Sequence, residues 1–100
     1  MLAFFTIVPA GKESVSKDVS AVIDVVARSG IEYRLTSMGT IIEGDPDRVW
    51  ELVRKCHETM RSRAARVLTN IYLDDREGAT KRITGKIEAV EKLLGKKLKT

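Results

Sequence analysis

The sequence has only one cysteine, Cys56, among its 100 residues. A lone cysteine excludes an intramolecular disulfide and any zinc site that needs two or more thiolates. His57 follows it directly, but neighbouring residues of a helix do not face each other, which argues against a catalytic Cys/His pair. We therefore predict that Cys56 is a small core residue and that His57 lies near the surface.

The sequence also lacks a long hydrophobic run. Its longest apolar stretches, such as residues 2–8, have the length of a β-strand and fall well short of the roughly 20 residues that a membrane-spanning helix needs. No basic segment followed by an apolar run stands at the N-terminus. These absences predict a cytoplasmic protein without a membrane partner.

Aromatic residues are scarce as well, at 5% of the chain, and none lies in the basic run at the C-terminus. Lys92, Lys96, Lys97 and Lys99 supply much of the net charge of +4 in that run. Stacking surfaces for bases are therefore missing beside the positive charge. The pattern favours a solvated basic tail over residues 96–100 and predicts no nucleic-acid partner.

The remaining composition is typical of a globular protein, with 43% hydrophobic and 32% charged residues. A chain of this length can build one two-layer core but not two independent ones. We predict a single domain over residues 1–95, helped by self-association.

Changes in hydrophobic period divide the chain into seven elements. Alternating apolar residues indicate strands, spacings of three and four residues indicate helices, and Asp45-Pro46-Asp47 is typical of a helix start. The first strand has two apolar faces, which is typical of a central strand. The predicted elements are strands over 2–8, 31–35, 40–43 and 66–74, and helices over 16–29, from 46, and over about 80–94.

The order of these elements is β-α-β-β-α-β-α. Its first six match the ferredoxin-like split βαβ arrangement, an α+β sandwich with a four-stranded antiparallel sheet and two helices on one face. The last helix is an addition. Neither face of the fourth strand is fully polar, so we expect the second face of the sheet to be covered, and another subunit could supply the cover.

Residues 36–44 read Thr-Ser-Met-Gly-Thr-Ile-Ile-Glu-Gly, a polar bend between two short strands. Gly39 can take the positive φ that such a bend often requires. Hydroxyls and backbone N–H groups can hydrogen-bond a polar heterocycle, Met38 can contact a flat ring, and Glu43 can pair with a cation or an aminopyrimidine. The same residues also fit an ordinary hairpin with a surface acid, and composition does not choose between the two.

Support for catalysis is weak. Asp74-Asp75-Arg76 could hold a cation or a phosphate at the end of the fourth strand, but a local ion pair at a strand end explains the same residues. No glycine-rich phosphate loop and no metal-ligand spacing occurs. We predict no enzyme activity, no metal and no cofactor.

The chain resembles the small YkoF-like thiamine-binding proteins, a family formerly of unknown function. The resemblance lies in short segments that occur in the same order: Ile7-Val8-Pro9, Tyr33-Arg34-Leu35, Ser37-Met38-Gly39-Thr40, Glu43-Gly44, His57-Glu58, Arg66-Val67 and Leu73-Asp74-Asp75-Arg76. It implies a ferredoxin-like homo-oligomer, commonly a tetramer, that binds thiamine or its hydroxymethylpyrimidine portion without catalysis.

On this basis we expect a ligand site around the bend, with Tyr33 or Phe5 stacking on a ring. The expected site residues are Phe5, Tyr33, Thr36, Ser37, Met38, Gly39, Thr40 and Glu43. The alternative is an oligomeric interaction or regulatory module with no small-molecule ligand, in which the apolar sheet face and edge hold another subunit, as a dimer or a tetramer, or another protein.

Overall fold

The apolar first strand lies near the centre of a four-stranded antiparallel sheet in the computed structural model, which describes all 100 residues. The strand order is β2-β3-β1-β4. β1 pairs with β3 on one side and, along its whole length, with β4 on the other. The strands are β1 (Leu2–Pro9), β2 (Glu32–Leu35), β3 (Thr40–Glu43) and β4 (Val67–Asp74).

One face of the sheet packs against α1 (Ser16–Arg28) and α2 (Pro46–Arg61). Alternate residues of β1 point to this face and are buried, as the two-residue period of a strand requires. Each fully buried aliphatic or aromatic side chain contributes about 1.5–3 kcal/mol of stability. The core comprises Ala3, Phe5, Ile7, Val22, Val26, Ile31, Ile42, Val49, Leu52, Val53, Cys56 and Met60.

The opposite face of the sheet is only partly covered. The third helix, α3 (Arg82–Leu94), packs against β3 and buries Ile83 in its first turn. Beyond that turn, most of the apolar stripe of α3 is exposed. The apolar side chains that β4 contributes to this sheet face are exposed as well. The expected cover therefore exists on one half of the sheet alone. The exposed apolar side chains of this sheet face and of α3 include Val8, Leu68, Tyr72, Ile87, Val90, Leu93 and Leu94.

The predicted α+β fold and its element order are confirmed, and most boundaries agree within a residue. α3 differs by about two residues at its start, because Lys81 adopts a left-handed conformation with φ of 52° and cannot continue a helix. Pro46 occupies the first helical position of α2 as expected, and Asp45 takes the N-cap position without a side-chain capping bond.

An ion cluster around the buried Asp18 joins the loops on the helix side. Asp18 of α1 accepts hydrogen bonds from Arg63 at 2.8 Å and Lys12 at 3.1 Å. These bonds, that from Arg63 first, hold the pKa of Asp18 below its usual range. The Lys12 ammonium also donates to the Arg63 carbonyl at 3.0 Å, which ties the β1–α1 loop to the α2–β4 loop.

Candidate functional site

The bend between β2 and β3 is built around Thr36. Its hydroxyl oxygen Oγ1 accepts from the N–H groups of Met38 at 3.2 Å and Gly39 at 3.1 Å, and the hydroxyl donates to the Gly39 carbonyl at 2.8 Å. These local bonds occupy Thr36 in holding the turn. Ser37 and Met38 are left at the tip, where Met38 is 80% exposed.

Gly39 serves the bend in a different way from the one expected. The predicted positive φ is wrong, because positive φ occurs at Gly11, Gly30, Gly78 and Gly95 among the glycines and not at Gly39. A Cβ at Gly39 would instead lie 2.4 Å from Cζ of Phe4. Glycine is therefore required here because the Phe4 ring lies directly against the backbone.

A small pocket of about 200 Å³ lies beside this bend, and we call it the hairpin pocket. Six of the eight predicted site residues line it: Phe5 of β1 and the whole segment Thr36–Thr40. The rest of the lining comes from the second half of β1, from the last residue of β2 and from the apolar face of α1. Those residues are Thr6, Ile7, Val8, Val19, Val22, Ile23 and Leu35, so the pocket contains no ionisable side chain.

The floor of the hairpin pocket includes an uncovered backbone edge. Met1 exchanges two backbone hydrogen bonds with Gly44, at 2.9 and 3.1 Å, so the odd-numbered residues of β1 direct their N–H and C=O groups towards β3. The ladder ends where Phe5 pairs with Thr40. The next partner of Ile7 would be Met38, whose N–H is bonded to Thr36. The N–H and C=O of Ile7 therefore have no strand partner on the side of the pocket, although the residue as a whole is only 6% exposed.

The other two predicted site residues lie elsewhere. Tyr33 stands opposite Ile42 in the sheet register, away from the bend, and is 39% exposed. Glu43 lies at the far end of β3, where its carboxylate accepts from the N–H groups of Arg82 at 2.8 Å and Ile83 at 3.1 Å. Glu43 therefore caps the start of α3, which sequence proximity could not reveal.

The sequence interpretation missed Ile7, Val8 and the residues of α1 as pocket lining. One signal could have indicated them, since the first strand is about twice as long as the third. A long strand beside a short one must leave part of its edge unpaired. The unpaired part of β1 begins after Phe5, the residue that pairs with Thr40 at the end of the bend.

Cys56 and His57 occupy the places expected for them. Cys56 is fully buried, its Sγ lies 3.9 Å from the Val22 carbonyl, and burial raises the pKa of its thiol to about 11. His57 is half-buried, with Nδ1 2.6 Å from Oγ1 of Thr69. Together with Trp50 and Ile71, His57 lines an open groove of about 550 Å³ along the outer edge of β4.

The Asp74-Asp75-Arg76 segment contains an ion pair, formed by Asp74 with Lys86 of α3. The hydrogen bond from Lys86, followed by its charge, holds the pKa of Asp74 below its usual range. No group of three or more His, Cys, Asp or Glu side chains is arranged to hold a metal ion. The structure contains no helix with the length and the hydrophobicity of a membrane span.

The sequence is similar to a known family. The model of the family described as "Thiamine-binding protein" matches residues 3–91. A UPF0045 protein of Staphylococcus xylosus is 37% identical over 95 residues, covering 88% of this chain and 89% of that protein. The UPF0045 protein YqgV of Bacillus subtilis is 35% identical over 100 residues, covering 93% and 96%.

Solved structures share the fold. The crystal structure of the hypothetical protein MJ1052 of Methanocaldococcus jannaschii has a TM-score of 0.82 at 31% identity, covering 89% of this chain and 93% of that one. A candidate thiamine biosynthesis or salvage protein of Thermotoga maritima has a TM-score of 0.79 at 18% identity, covering 89% and 96%. The second likeness is a likeness of fold alone.

Proposed function

This chain belongs to the thiamine-binding protein family, and from that premise we propose that it binds the aminopyrimidine ring of thiamine, or free hydroxymethylpyrimidine, in the hairpin pocket. The proposed role is non-catalytic and cytoplasmic. The family description supports a small-molecule ligand of this class. The geometry of the pocket supports the choice of the pyrimidine ring as the part that is buried.

The observation that carries the proposal is the free backbone edge at Ile7. An aminopyrimidine has an amino group, which donates a hydrogen bond, beside a ring nitrogen, which accepts one. The C=O and N–H of one strand residue offer the complementary acceptor and donor side by side. A ring placed against Ile7 would continue the hydrogen bonding of the sheet at the point where β3 ends, as added strands do in peptide recognition.

The size and the lining of the pocket fit a single neutral ring. Its volume of about 200 Å³ is below the roughly 300–1,000 Å³ of pockets that hold drug-sized ligands. Val19, Val22 and Ile23 form an apolar wall, and the exposed thioether of Met38 can close over the ring. With no carboxylate in the lining, the cationic thiazolium of thiamine would lie outside the pocket, in solvent.

Titration calorimetry of the full chain with hydroxymethylpyrimidine and with thiamine tests the proposal. We expect saturable binding of both ligands. Met38→Ala should weaken binding by about fivefold, since a sulfur–ring contact contributes about 1 kcal/mol. Leu93→Ala removes an equally exposed apolar side chain from α3 and should leave binding unchanged. Absence of saturation by both ligands at millimolar concentration would overturn the proposal.

A second candidate function is self-association, and the outer edge of β4 favours it. The Ala10 N–H donates to the Arg66 carbonyl, so the even-numbered residues of β4 face β1 and the odd-numbered ones face outwards. Val67, Thr69 and Ile71 therefore leave their backbone groups unpaired along an edge without charge or proline, which invites strand pairing. A second copy of the chain, antiparallel to the first, would satisfy these groups.

The exposed apolar side chains beside that edge support the same partner. Leu68 and Tyr72 project from the uncovered sheet face, and Leu93 and Leu94 project from α3. We propose a homo-oligomer, a tetramer or a dimer, in which these surfaces meet. Light scattering should give a mass that is a multiple of the 11.2 kDa of one chain. The Tyr72→Glu variant should give a lower mass. A monomeric mass at high concentration would contradict it.

A further inference from the structure

The other end of the sheet holds a second cavity, of about 260 Å³, which we call the α3 cavity. It lies where β1 begins, β3 and β4 end, and α3 starts. Leu2 stands between Glu43 and Asp74 in the sheet register, and the three residues form its floor. Val8 in the hairpin pocket lies six positions after Leu2 along β1, a distance of about 20 Å.

Positive charge exceeds negative charge around the α3 cavity. Its lining includes Arg76, Arg82 and Lys86, against the carboxylates of Glu43 and Asp74. Lys86 is paired with Asp74, whose lowered pKa also reflects the charges of Arg76 and Arg82 nearby. All three cations therefore lie close enough to Asp74 to affect its carboxylate. The Asp74–Lys86 ion pair leaves the charges of Arg76 and Arg82 without a neutralising partner.

Both carboxylates already have partners, whereas two of the cations do not. Glu43 is occupied by the first N–H groups of α3, so the helix N-terminus itself offers no free donors at Arg82 and Ile83. The guanidinium groups of Arg76 and Arg82 make no side-chain hydrogen bond and no ion pair within the chain, although Arg82 is half-buried. Their donors remain available to an anion.

The absence of a side chain at Gly85 allows the guanidinium group of Arg82 to take its position. A Cβ at Gly85 would lie 3.0 Å from Nη1 of Arg82 and 3.6 Å from its Cζ. Glycine is a poor helix former, and its position one turn after Arg82 is a cost to α3. The missing side chain leaves the guanidinium room to lie back over the helix, beside the cavity.

We propose that the α3 cavity binds a phosphate group, with Arg76 and Arg82 as its ligands. A guanidinium presents a planar fork of donors that matches two phosphate oxygens, and two forks can hold one phosphate from different sides. Lys86 adds a third positive charge while it stays paired with Asp74. The site goes beyond the proposed vitamin site because it lies at the opposite end of the sheet and takes its anion independently of the hairpin pocket.

The test is a calorimetric titration of the full chain, at fixed ionic strength, with inorganic diphosphate and with thiamine monophosphate. We expect saturable binding of at least one of them, and a loss of about tenfold or more in Arg82→Gln and in Arg76→Gln. Lys92→Gln removes the same charge from α3 away from the cavity and should change affinity less than twofold. Whichever ligand depends on Arg82 identifies the source of the phosphate.

Gly85→Ala separates binding from folding. Alanine favours the helix, so the melting temperature should stay the same or rise, while displacement of the Arg82 head should weaken phosphate binding several-fold. The proposal is overturned by absence of saturation with both phosphates, or by equal losses in Arg82→Gln and Lys92→Gln. Hydroxymethylpyrimidine titrated into the same variants reports the hairpin pocket separately, so either proposal can fail alone.

Discussion

The two ends of the sheet organise their polar groups in opposite ways. At the hairpin pocket the polar contacts are local and uncharged, since Thr36 bonds to residues two and three positions later. At the α3 cavity they are charged and join distant segments, since Glu43 bonds to the backbone of Arg82, 39 residues away. A neutral edge suits recognition of a heterocycle, whereas the charged end fixes a helix and offers spare cations.

The largest expected effect is at the hairpin end, where the Phe4 ring lies directly against the backbone of Gly39. Gly39→Ala places a Cβ against the Phe4 ring, and the forced shift should cost about 1–3 kcal/mol of unfolding free energy. Binding of hydroxymethylpyrimidine should fall with it, because the bend moves. Urea unfolding and calorimetry measure the two effects.

Gly44→Ala is the matched control at the opposite end. The nearest atoms to its Cβ would lie 3.8 and 3.9 Å away, in ordinary contact. We expect a change within about 0.5 kcal/mol. Equal losses in the two variants would show that the close approach of Phe4 is not what makes the hairpin end different.

A smaller effect is expected when the cap of α3 is removed. Glu43→Ala deletes the acceptor for two backbone N–H groups and should cost about 1–2 kcal/mol, with Glu43→Gln intermediate. Hydrogen exchange of the first turn of α3 should become faster, while ligand binding at the hairpin pocket stays unchanged. Weaker ligand binding with unchanged exchange would return Glu43 to the ligand site that the sequence interpretation assigned it.

The smallest expected effect is on acid stability. The pKa of Asp74 is lowered by Lys86 first, with Arg76 and Arg82 adding to the effect. The stability that its carboxylate contributes is therefore fully present above the unfolded pKa of about 3.9. It is lost as pH falls through the lower folded pKa. Urea unfolding from about pH 6 to about pH 2 covers this window. Over that range, the free energy of unfolding should fall less steeply in Asp74→Asn than in the unaltered chain. An unchanged slope would remove this pair from the account.

The fold could be predicted from the sequence because its signals are local. The apolar spacing of Val49, Leu52, Val53, Cys56 and Met60 predicted the buried face of α2, and all five residues are buried. The bend at 36–40 could be predicted for the same reason, since its bonds connect near neighbours. Six of the eight expected site residues were therefore found together.

The rest depends on contacts that the linear sequence does not show. The sequence suggests conformational freedom as the role of Gly39, but glycine stands there because the ring of Phe4, 35 residues earlier in the chain, leaves no room for a Cβ. The sequence favours a ligand for Glu43 because it does not show that the first turn of α3 lies beside this carboxylate. The free edge at Ile7 follows from strand pairing, and pairing exists only once the topology is known.

The most direct test of the central claim is the backbone amide spectrum of the ¹⁵N-labelled full chain during titration with hydroxymethylpyrimidine. We predict that the Ile7 amide shifts and saturates together with those of Met38 and Gly39, because the ring bonds to that edge. Saturation at the Trp50 and His57 groove or at the α3 cavity, with Ile7 unmoved, would contradict the account.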